Sequence, residues 1–197
     1  MSSAAVESPT RDRILDALVQ CIVENGMRKV TVDDVAQRAE LSRVTLYSYF
    51  SGKQAMIQEA VVRETERFLA ELERVAESHE TPEERLVETF AFAYRHLRAH
   101  PLVQRMVRFE PELLASHMAR EAPALVTARA WVADRFAHAA EGTLPPEEVE
   151  QAAELVVRTV HSLIIVPEST FGLDDPDGPQ RYARRWLLPA IAGPPAR

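Results

Sequence analysis

The chain has 197 residues and a net charge of −7, and its 46% hydrophobic content is enough for a substantial buried core. Its single cysteine excludes an intrachain disulfide, and its longest apolar run, residues 155–166, is too short to span a bilayer. Only 6 glycines occur, and no segment alternates apolar and polar residues as a strand does. We predict an all-α fold of about nine helices in two domains, residues 1–55 and 56–197, and a soluble cytoplasmic protein.

The first three predicted helices lie within the N-terminal domain. One helix is predicted over residues 10–25 and ends at Asn25 and Gly26. Two short helices follow around a tight turn, with Thr31 as the N-cap of one and Ser42 as the N-cap of the other. Apolar residues at helical spacing indicate their buried faces: Val32, Val35, Ala36 and Ala39 on the second helix, and Leu46, Tyr47 and Phe50 on the third.

The first turn of the third predicted helix carries Arg43, Val44 and Thr45. In a helix-turn-helix, side chains at this position meet base edges in the major groove. We predict that Arg43 contacts guanine and that Val44 and Thr45 shape the adjacent readout. Contacts to DNA phosphates are predicted for a further set of side chains: Thr31, Ser42, Tyr47, Tyr49 and Lys53.

Basic residues are concentrated around these two helices although the chain as a whole is acidic. Residues 28–53 contain five basic and three acidic side chains, which gives this window a net charge of +2. Both lysines of the chain, Lys29 and Lys53, flank the two helices where phosphates would run. Because local charge governs contact with nucleic acid, the sequence predicts double-stranded DNA as a partner.

Three runs, beginning at Arg13 (RILDAL), Val30 (VTVDDVA) and Leu41 (LSRVTLYSYFSGK), occur together with Gly26 in about the first 60 residues. In these runs the chain resembles the TetR family of transcriptional regulators. The resemblance implies an N-terminal helix-turn-helix domain and a C-terminal helical domain that binds an effector and dimerises. The chain departs from the family's usual glycine at Glu40 and from its frequent glycine at Val44. Glu40 requires either a left-handed backbone, at roughly 1 kcal/mol, or a different turn.

The remainder of the chain is also predicted to be helical. A long helix from residue 53 to 78 links the domains, and Thr81 with Pro82 marks the start of the next, which Pro101 ends. An acidic exposed loop is expected over residues 167–177. The other predicted helices cover residues 101–109, 111–118, 123–140, 145–166 and 178 to 189 or 191.

Large apolar side chains on the middle helices are candidates for the lining of an effector cavity, which family members enclose in this region. They are Phe68, Phe90, Tyr94, Met106, Phe109, Leu113, Trp131 and Phe136. Ordinary core packing is the alternative for each of them. Such a lining favours a small hydrophobic effector, for example a lipid-like acid. Its polar groups would come from Tyr94, Arg95, His96, Arg105 or His117.

The helix predicted over residues 145–166 is apolar on more than one side, so a single packing face cannot cover it. In the TetR family, the two C-terminal helices pair with their copies in a second subunit to form a four-helix bundle. Candidate residues of this homodimer interface are Val156, Val160, Leu163, Ile164, Tyr182 and Trp186. A larger monomeric core is the alternative. A twofold dimer places its recognition helices about one DNA turn apart, so an inverted-repeat operator is expected.

These inferences together predict a homodimeric transcriptional repressor that binds DNA and is released by a hydrophobic effector. The alternatives are a ligand-independent regulator, an activator, a helical enzyme or an adaptor. The sequence has no Gly-rich phosphate loop, nucleophile elbow or Cys/His metal cluster, so we expect no enzymatic activity, no cofactor and no metal site. The first ten residues have no signal-peptide pattern, and no membrane partner is expected.

Overall fold

The computed structural model describes residues 9–110, 112, 123–139 and 145–191, and no strand occurs in these ranges. None of the described helices is both long and apolar enough to cross a membrane. The predicted helix over residues 111–118 falls almost entirely outside the described residues. The helices are α1 (Pro9–Asn25), α2 (Val32–Arg38), α3 (Arg43–Tyr49), α4 (Lys53–Glu77), α5 (Pro82–Ala99), α6 (Pro101–Phe109), α7 (Pro123–Ala139), α8 (Pro146–Ile165), α9 (Gly178–Tyr182) and α10 (Leu188–Ile191), with a π-helical turn (Ala183–Leu187) between the last two.

Contacts between elements divide the chain into two compact units. The first, which we call the head, contains the described residues 9–64, 101–110 and 112. The second unit contains the described residues 65–100, 123–139 and 145–191. This division differs from the predicted boundary after residue 55, because α4 contributes residues to both units and α6 belongs to the head.

The head is organised around one apolar core to which α1, α2, α3, α4 and α6 all contribute. Ile14, Val35, Leu46 and Met56, one from each of the first four helices, have no exposed surface. Met106 of α6 is buried in the same cluster. This burial explains why α6 packs with the head, since its amphipathic face has its partners there.

A buried arginine joins α1 to α4 within the head. Arg63 is 9% exposed, and its guanidinium lies 3.2 Å from Asp12, 2.6 Å from Asp16 and 3.0 Å from Glu64. Three acidic partners around one buried cation satisfy the charge that burial would otherwise leave uncompensated. The first helix of the head is thereby fixed to the helix that follows α3.

The second unit contains α5, α7, α8 and the C-terminal helical segment. α7 packs along α8, and α9 packs on α5. The helical segment over residues 178–191 was predicted, but its π-helical turn was not. Pro189 cannot donate a hydrogen bond to the carbonyl of Arg185, and its ring would crowd that carbonyl, so a wider turn before it relieves the strain.

The loop over residues 167–177 is largely exposed and acidic, as predicted, but it is anchored at one point. Leu173 is buried. Gly172 has a φ of 64°, and a Cβ on Gly178 would lie 2.1 Å from the carbonyl oxygen of Gly172. Arg181 donates to Asp175 at 2.6 Å. The loop therefore has a defined conformation that depends on two glycines.

Candidate nucleic-acid interface

Side-chain caps define the beginnings of α2 and α3. The hydroxyl oxygen of Thr31 accepts from the backbone N–H of Asp34 at 3.2 Å, and the Asp34 carboxylate accepts from the backbone N–H of Thr31 at 2.8 Å. The hydroxyl oxygen of Ser42 accepts from the backbone N–H of Thr45 at 3.0 Å. These reciprocal and single caps satisfy N–H groups that a helix leaves free. Both N-caps predicted from the sequence are confirmed.

The turn between the two helices passes through Glu40, whose φ of 54° lies in the left-handed region. Its N–H donates to the carbonyl of Gln37 at 3.1 Å, and the N–H of Leu41 donates to that of Ala36 at 2.9 Å. Of the two alternatives predicted for this position, the left-handed backbone is therefore the one adopted. Glu40 bears the steric cost that glycine would avoid.

One side of α3 packs into the head and the other faces solvent. Leu46 is fully buried, whereas Val44 is 80% exposed. The prediction that Tyr47 belongs to the buried face is wrong, because Tyr47 is exposed and Tyr49 packs against the core with Phe50. Helical geometry accounts for the difference: position 47 lies one turn after Arg43 and Val44, and position 49 lies one turn after Leu46.

Arg43 is held by two neighbours on the exposed side of the head. Its Nη1 donates to Oδ2 of Asp33 at 3.1 Å, and its guanidinium carbon lies 5.6 Å from the centre of the Tyr47 ring. Interaction with Tyr47, and then the Asp33 charge, raises the pKa of Arg43 above its already high value. The side chain is therefore a permanent cation with a preferred orientation.

Several bases of the predicted positive window are paired with acids of the head. Arg38 forms an ion pair with Glu24, and Arg28 donates to Glu112 at 2.7 Å. Neither acid lies within residues 28–53, so counting charge along the sequence missed them. Lys53 begins α4 and donates from Nζ to the carbonyl of Arg28 at 3.3 Å. The positive charge of this surface is thus smaller than the local sum indicates.

Glu110 is a residue of the head that sequence reasoning did not identify. It follows α6, and its carboxylate accepts from the backbone N–H groups of Met27 at 3.0 Å and Arg28 at 3.3 Å. The nearby Arg105 donates to the carbonyls of Val23 at 3.1 Å and Glu24 at 3.2 Å. No local sequence signal indicates these contacts, because more than 80 positions separate the partners.

The predicted effector-site residues separate into different environments. In the second unit, Phe90 and Tyr94 are buried, whereas Phe68, Trp131 and Phe136 are half-buried. Met106 and Phe109 belong to the head, where Met106 is part of the core and Phe109 is 68% exposed. Leu113 and His117 lie outside the described residues.

Polar groups near these aromatic residues are mostly occupied by internal partners. Nε1 of Trp131 donates to Glu73 at 3.2 Å, Arg95 donates to Gln180 at 2.6 Å, and Nδ1 of His96 lies 3.3 Å from Glu71. Tyr94 differs, because its hydroxyl is buried with no hydrogen-bond partner among the described residues. Burial raises the pKa of this phenol, and the nearby Arg98 guanidinium lowers it by a smaller amount.

The predicted dimer residues also divide into two groups. Val156, Leu163 and Ile164 are buried within the protomer, so the prediction that they contact a partner must be corrected. They pack on the inner side of α8, which the apolar pattern alone could not distinguish from an outer side. Val160 and Tyr182 are half-buried, and Trp186 is 50% exposed.

The second unit also exposes apolar residues that are not among the candidate dimer residues. The Phe171 ring lies 6.2 Å from that of Trp186 and 4.9 Å from that of Tyr182, centre to centre. On α8, Leu155 and Ile165 are also exposed. Large apolar groups in solvent are typical of a surface that is covered in an assembly.

Known proteins match both the sequence and the fold. The family of bacterial regulatory proteins named tetR matches residues 14–60, which span α2 and α3. An uncharacterised helix-turn-helix transcriptional regulator of Mycobacterium tuberculosis, Rv1255c, is 30% identical over 167 residues, which cover 84% of this chain and 78% of the relative. The transcriptional repressor KstR of Mycolicibacterium smegmatis is 36% identical over 93 residues, which cover 47% of this chain and 46% of the relative.

A solved structure extends the match over almost the whole fold. The TetR family repressor AlkX from a Dietzia strain, implicated in biodegradation of n-alkanes, superposes with a TM-score of 0.66 and 25% identity. The match covers 94% of this chain and 98% of AlkX. With the helix-turn-helix described above, these similarities establish that the chain belongs to the TetR family of bacterial transcriptional regulators.

Proposed function

We propose that the protein is a homodimeric repressor that binds an inverted-repeat operator and releases it when a small hydrophobic molecule binds the second unit. The exposed side of α3 carries the proposal, since Arg43, Val44 and Tyr47 project there above the buried Leu46. The names of KstR and AlkX, both repressors, support repression over activation.

Arg43 is the proposed base-reading residue. Its planar guanidinium matches the two acceptors, O6 and N7, that guanine presents in the major groove. Val44 is exposed beside it, and its methyl groups suit contact with a thymine methyl. Thr45 is half-buried at the start of α3 and would shape the adjacent readout. Together they would read a few adjacent base pairs in each half-site.

Phosphate contacts are proposed chiefly for Tyr47 and Lys53, whose polar groups lie at the outer side and at the edge of the two helices. Tyr49 is half-buried and would contribute its hydroxyl only. Thr31 donates its hydroxyl hydrogen to Asp34, and the Ser42 hydroxyl lies 2.8 Å from that of Thr45. Phosphate oxygens need donors, so the Thr31 hydroxyl would bind phosphate only by exchanging its partner, whereas the Ser42 hydroxyl keeps its hydrogen for phosphate when Thr45 is the donor of that pair.

The dimer is proposed to form through the C-terminal helices, with Trp186, Tyr182 and Phe171 near its centre. Aromatic residues are enriched in protein interfaces and account for much of their binding energy. A twofold axis would place the two α3 helices about one DNA turn apart. An inverted-repeat operator follows from that symmetry.

Release by an effector rests on the aromatic side chains of the second unit. Among the described residues no acceptor meets the hydrogen of the buried Tyr94 hydroxyl, and Arg98 nearby can only donate, so a ligand with an oxygen acceptor would satisfy it. α4 contributes residues to both units and could couple them. By linkage, a ligand that weakens operator binding must itself bind more weakly when DNA is present, by the same factor.

The first experiment selects bound duplexes from a random DNA pool at two salt concentrations, with the natural chain, Arg43→Ala and Lys53→Ala. The natural chain should recover an inverted repeat. Arg43→Ala should lose about 1–3 kcal/mol of binding free energy and relax the base preference at one position per half-site. Lys53→Ala should weaken the affinity for all sequences alike and reduce the slope of log affinity against log salt by about one. An unaltered preference in Arg43→Ala would contradict the proposed base contact.

The effector is tested with hexadecanoic acid and hexadecane on the selected operator, with Tyr94→Phe as the variant. The acid should release operator from the natural chain at lower concentration than from Tyr94→Phe, because tyrosine can donate a hydrogen bond to the carboxylate and phenylalanine cannot. Hexadecane should release both proteins equally. Operator affinity that neither compound changes would contradict an effector of this class.

A further inference from the structure

The ion pair between Asp33 and Arg43 lies at the start of both helices of the helix-turn-helix. Asp33 is the second residue of α2, and Arg43 is the first of α3. Nη1 of Arg43 lies 3.1 Å from Oδ2 of Asp33, and the two side chains are 58% and 64% exposed. An acid therefore stands beside the residue that is proposed to read guanine.

The cap of α2 is supplied by the neighbouring acid. Asp34, not Asp33, accepts from the N–H and from the hydroxyl of Thr31, at 2.8 and 2.7 Å. The Asp33 carboxylate instead accepts a hydrogen bond from Arg43. Ion pairs this exposed contribute little to folding, and an acid in the first turn gains a small further benefit from the helix dipole. Stability alone thus gives little reason for this pairing.

Chemistry gives the pairing a role in recognition. A guanidinium has five N–H donors in one plane, so a carboxylate on Nη1 leaves other donors for O6 and N7 of guanine. The Tyr47 ring, 5.6 Å from the guanidinium carbon, restrains the same group from a second direction. A side chain that is already oriented loses less conformational entropy when it binds.

The same carboxylate acts in the opposite sense on DNA of the wrong sequence. Non-specific binding depends almost entirely on attraction to phosphates, and a negative charge next to Arg43 reduces that attraction. On cognate DNA, the oriented guanidinium offsets this loss through its contact with guanine. We propose that Asp33 is a specificity-determining positioning residue, which orients Arg43 toward guanine and disfavours non-cognate DNA.

This inference rests on the proposed function and is tested with Asp33→Asn, which removes the charge and keeps the size. Affinity for the selected operator should fall about threefold per half-site, or roughly tenfold for the dimer, because the variant loses one exposed ion pair in each half-site. Affinity for a scrambled duplex of equal length should rise. The ratio of the two affinities should therefore fall by more than tenfold.

Glu40→Gln is the matched control, because it removes one exposed acid from the same surface and leaves the Asp33–Arg43 pair in place. It should raise affinity for both duplexes by the same factor. Asp33→Glu, which keeps the charge, should have a ratio of operator to scrambled-duplex affinity between those of the natural chain and Asp33→Asn. In an Arg43→Ala background, Asp33→Asn should no longer lower operator affinity, since its partner is absent.

Three outcomes would overturn the inference. If Asp33→Asn raised the affinity for both duplexes equally, Asp33 would only repel DNA. If it raised the affinity for the operator more, Asp33 would compete with DNA for Arg43. A lowered unfolding temperature with an unchanged ratio would assign it a structural role. If Arg43→Ala itself leaves the selected sequence unchanged, the proposed base contact fails instead, and the two failures are distinguishable.

Discussion

The exposed side of α3 in the head and the C-terminal part of the second unit leave different kinds of apolar side chain in solvent. On the exposed side of α3, which we propose reads DNA, the exposed apolar residues are Val44 and Tyr47, which stand among polar side chains. In the second unit, Phe171 and Trp186 contact each other at the surface. The first pattern suits a wet, charged interface with DNA, and the second suits a dry interface with protein. The exposed apolar groups of these two surfaces thus indicate what kind of partner would cover each of them.

The largest expected effect concerns the buried side of α3. Leu46→Ala should destabilise the head by about 2–5 kcal/mol, because it leaves a cavity where no surface is exposed. Val44→Ala, in the same helix, should change the free energy of unfolding by less than about 0.5 kcal/mol. Urea unfolding followed by circular dichroism compares the two. Equal losses would mean that α3 is not divided into a core side and a DNA side.

The next effect concerns the exposed aromatic residues of the second unit. Trp186→Ala should weaken dimerisation by about 2 kcal/mol, roughly thirtyfold in the dissociation constant, as expected for a central aromatic residue. Sedimentation velocity over a dilution series measures the change. Val62→Ser, which alters a similarly exposed side chain of the head, is the control and should leave dimerisation unchanged. A dimer unaffected by Trp186→Ala would place the interface elsewhere.

A smaller effect is expected at the turn of the head. Glu40→Gly should raise the free energy of unfolding by roughly 1 kcal/mol, because glycine adopts a φ of 54° without the Cβ conflict. Glu40→Gln keeps the conflict and removes only the charge, so its stability should match that of the natural chain. Thermal unfolding distinguishes them. A gain shared by both variants would attribute the effect to charge instead of backbone strain.

The smallest effect is a pH dependence of the second unit. Burial, and then the charge of Arg158, lowers the pKa of His161 below its usual value near 6.5. The unfolded chain then binds this proton more readily than the folded one, so stability is lost as the pH falls below about 6.5. His161→Gln should remove a fraction of a kcal/mol of this dependence. Identical pH profiles between 7.5 and 5.5 for both proteins would refute it.

Much of the head was predictable because its signals are local. Thr31 and Ser42 satisfy N–H groups three residues later, and the alternation of inner and outer positions follows from the helical repeat. The exception is Tyr47, where two aromatic residues two positions apart compete for one inner side. The helical repeat places position 49, and not position 47, one turn after the buried Leu46, and the structure has Tyr49 against the core.

The second unit was less predictable, because the pattern of apolar residues does not show which element each of them packs against. Val156, Leu163 and Ile164 are apolar in the same way as Trp186, yet they are buried within the protomer and Trp186 is not. Met106 is likewise a large apolar residue of the kind that lines pockets, but it packs in the core of the head. For Met106, the contacts that decide its position come from helices far along the chain.

The sequence by itself determined the helical class, the N-caps and the helix that presents Arg43, and it gave a left-handed backbone as one of two alternatives at Glu40. These depend on neighbours within about one helical turn, whose geometry the residue types fix. Tertiary structure alone decided that α6 belongs to the head, that Glu110 supports the backbone at Met27, and that Asp33 meets Arg43. Those pairings depend on how helices distant in sequence pack together, and no local preference of the chain encodes that arrangement.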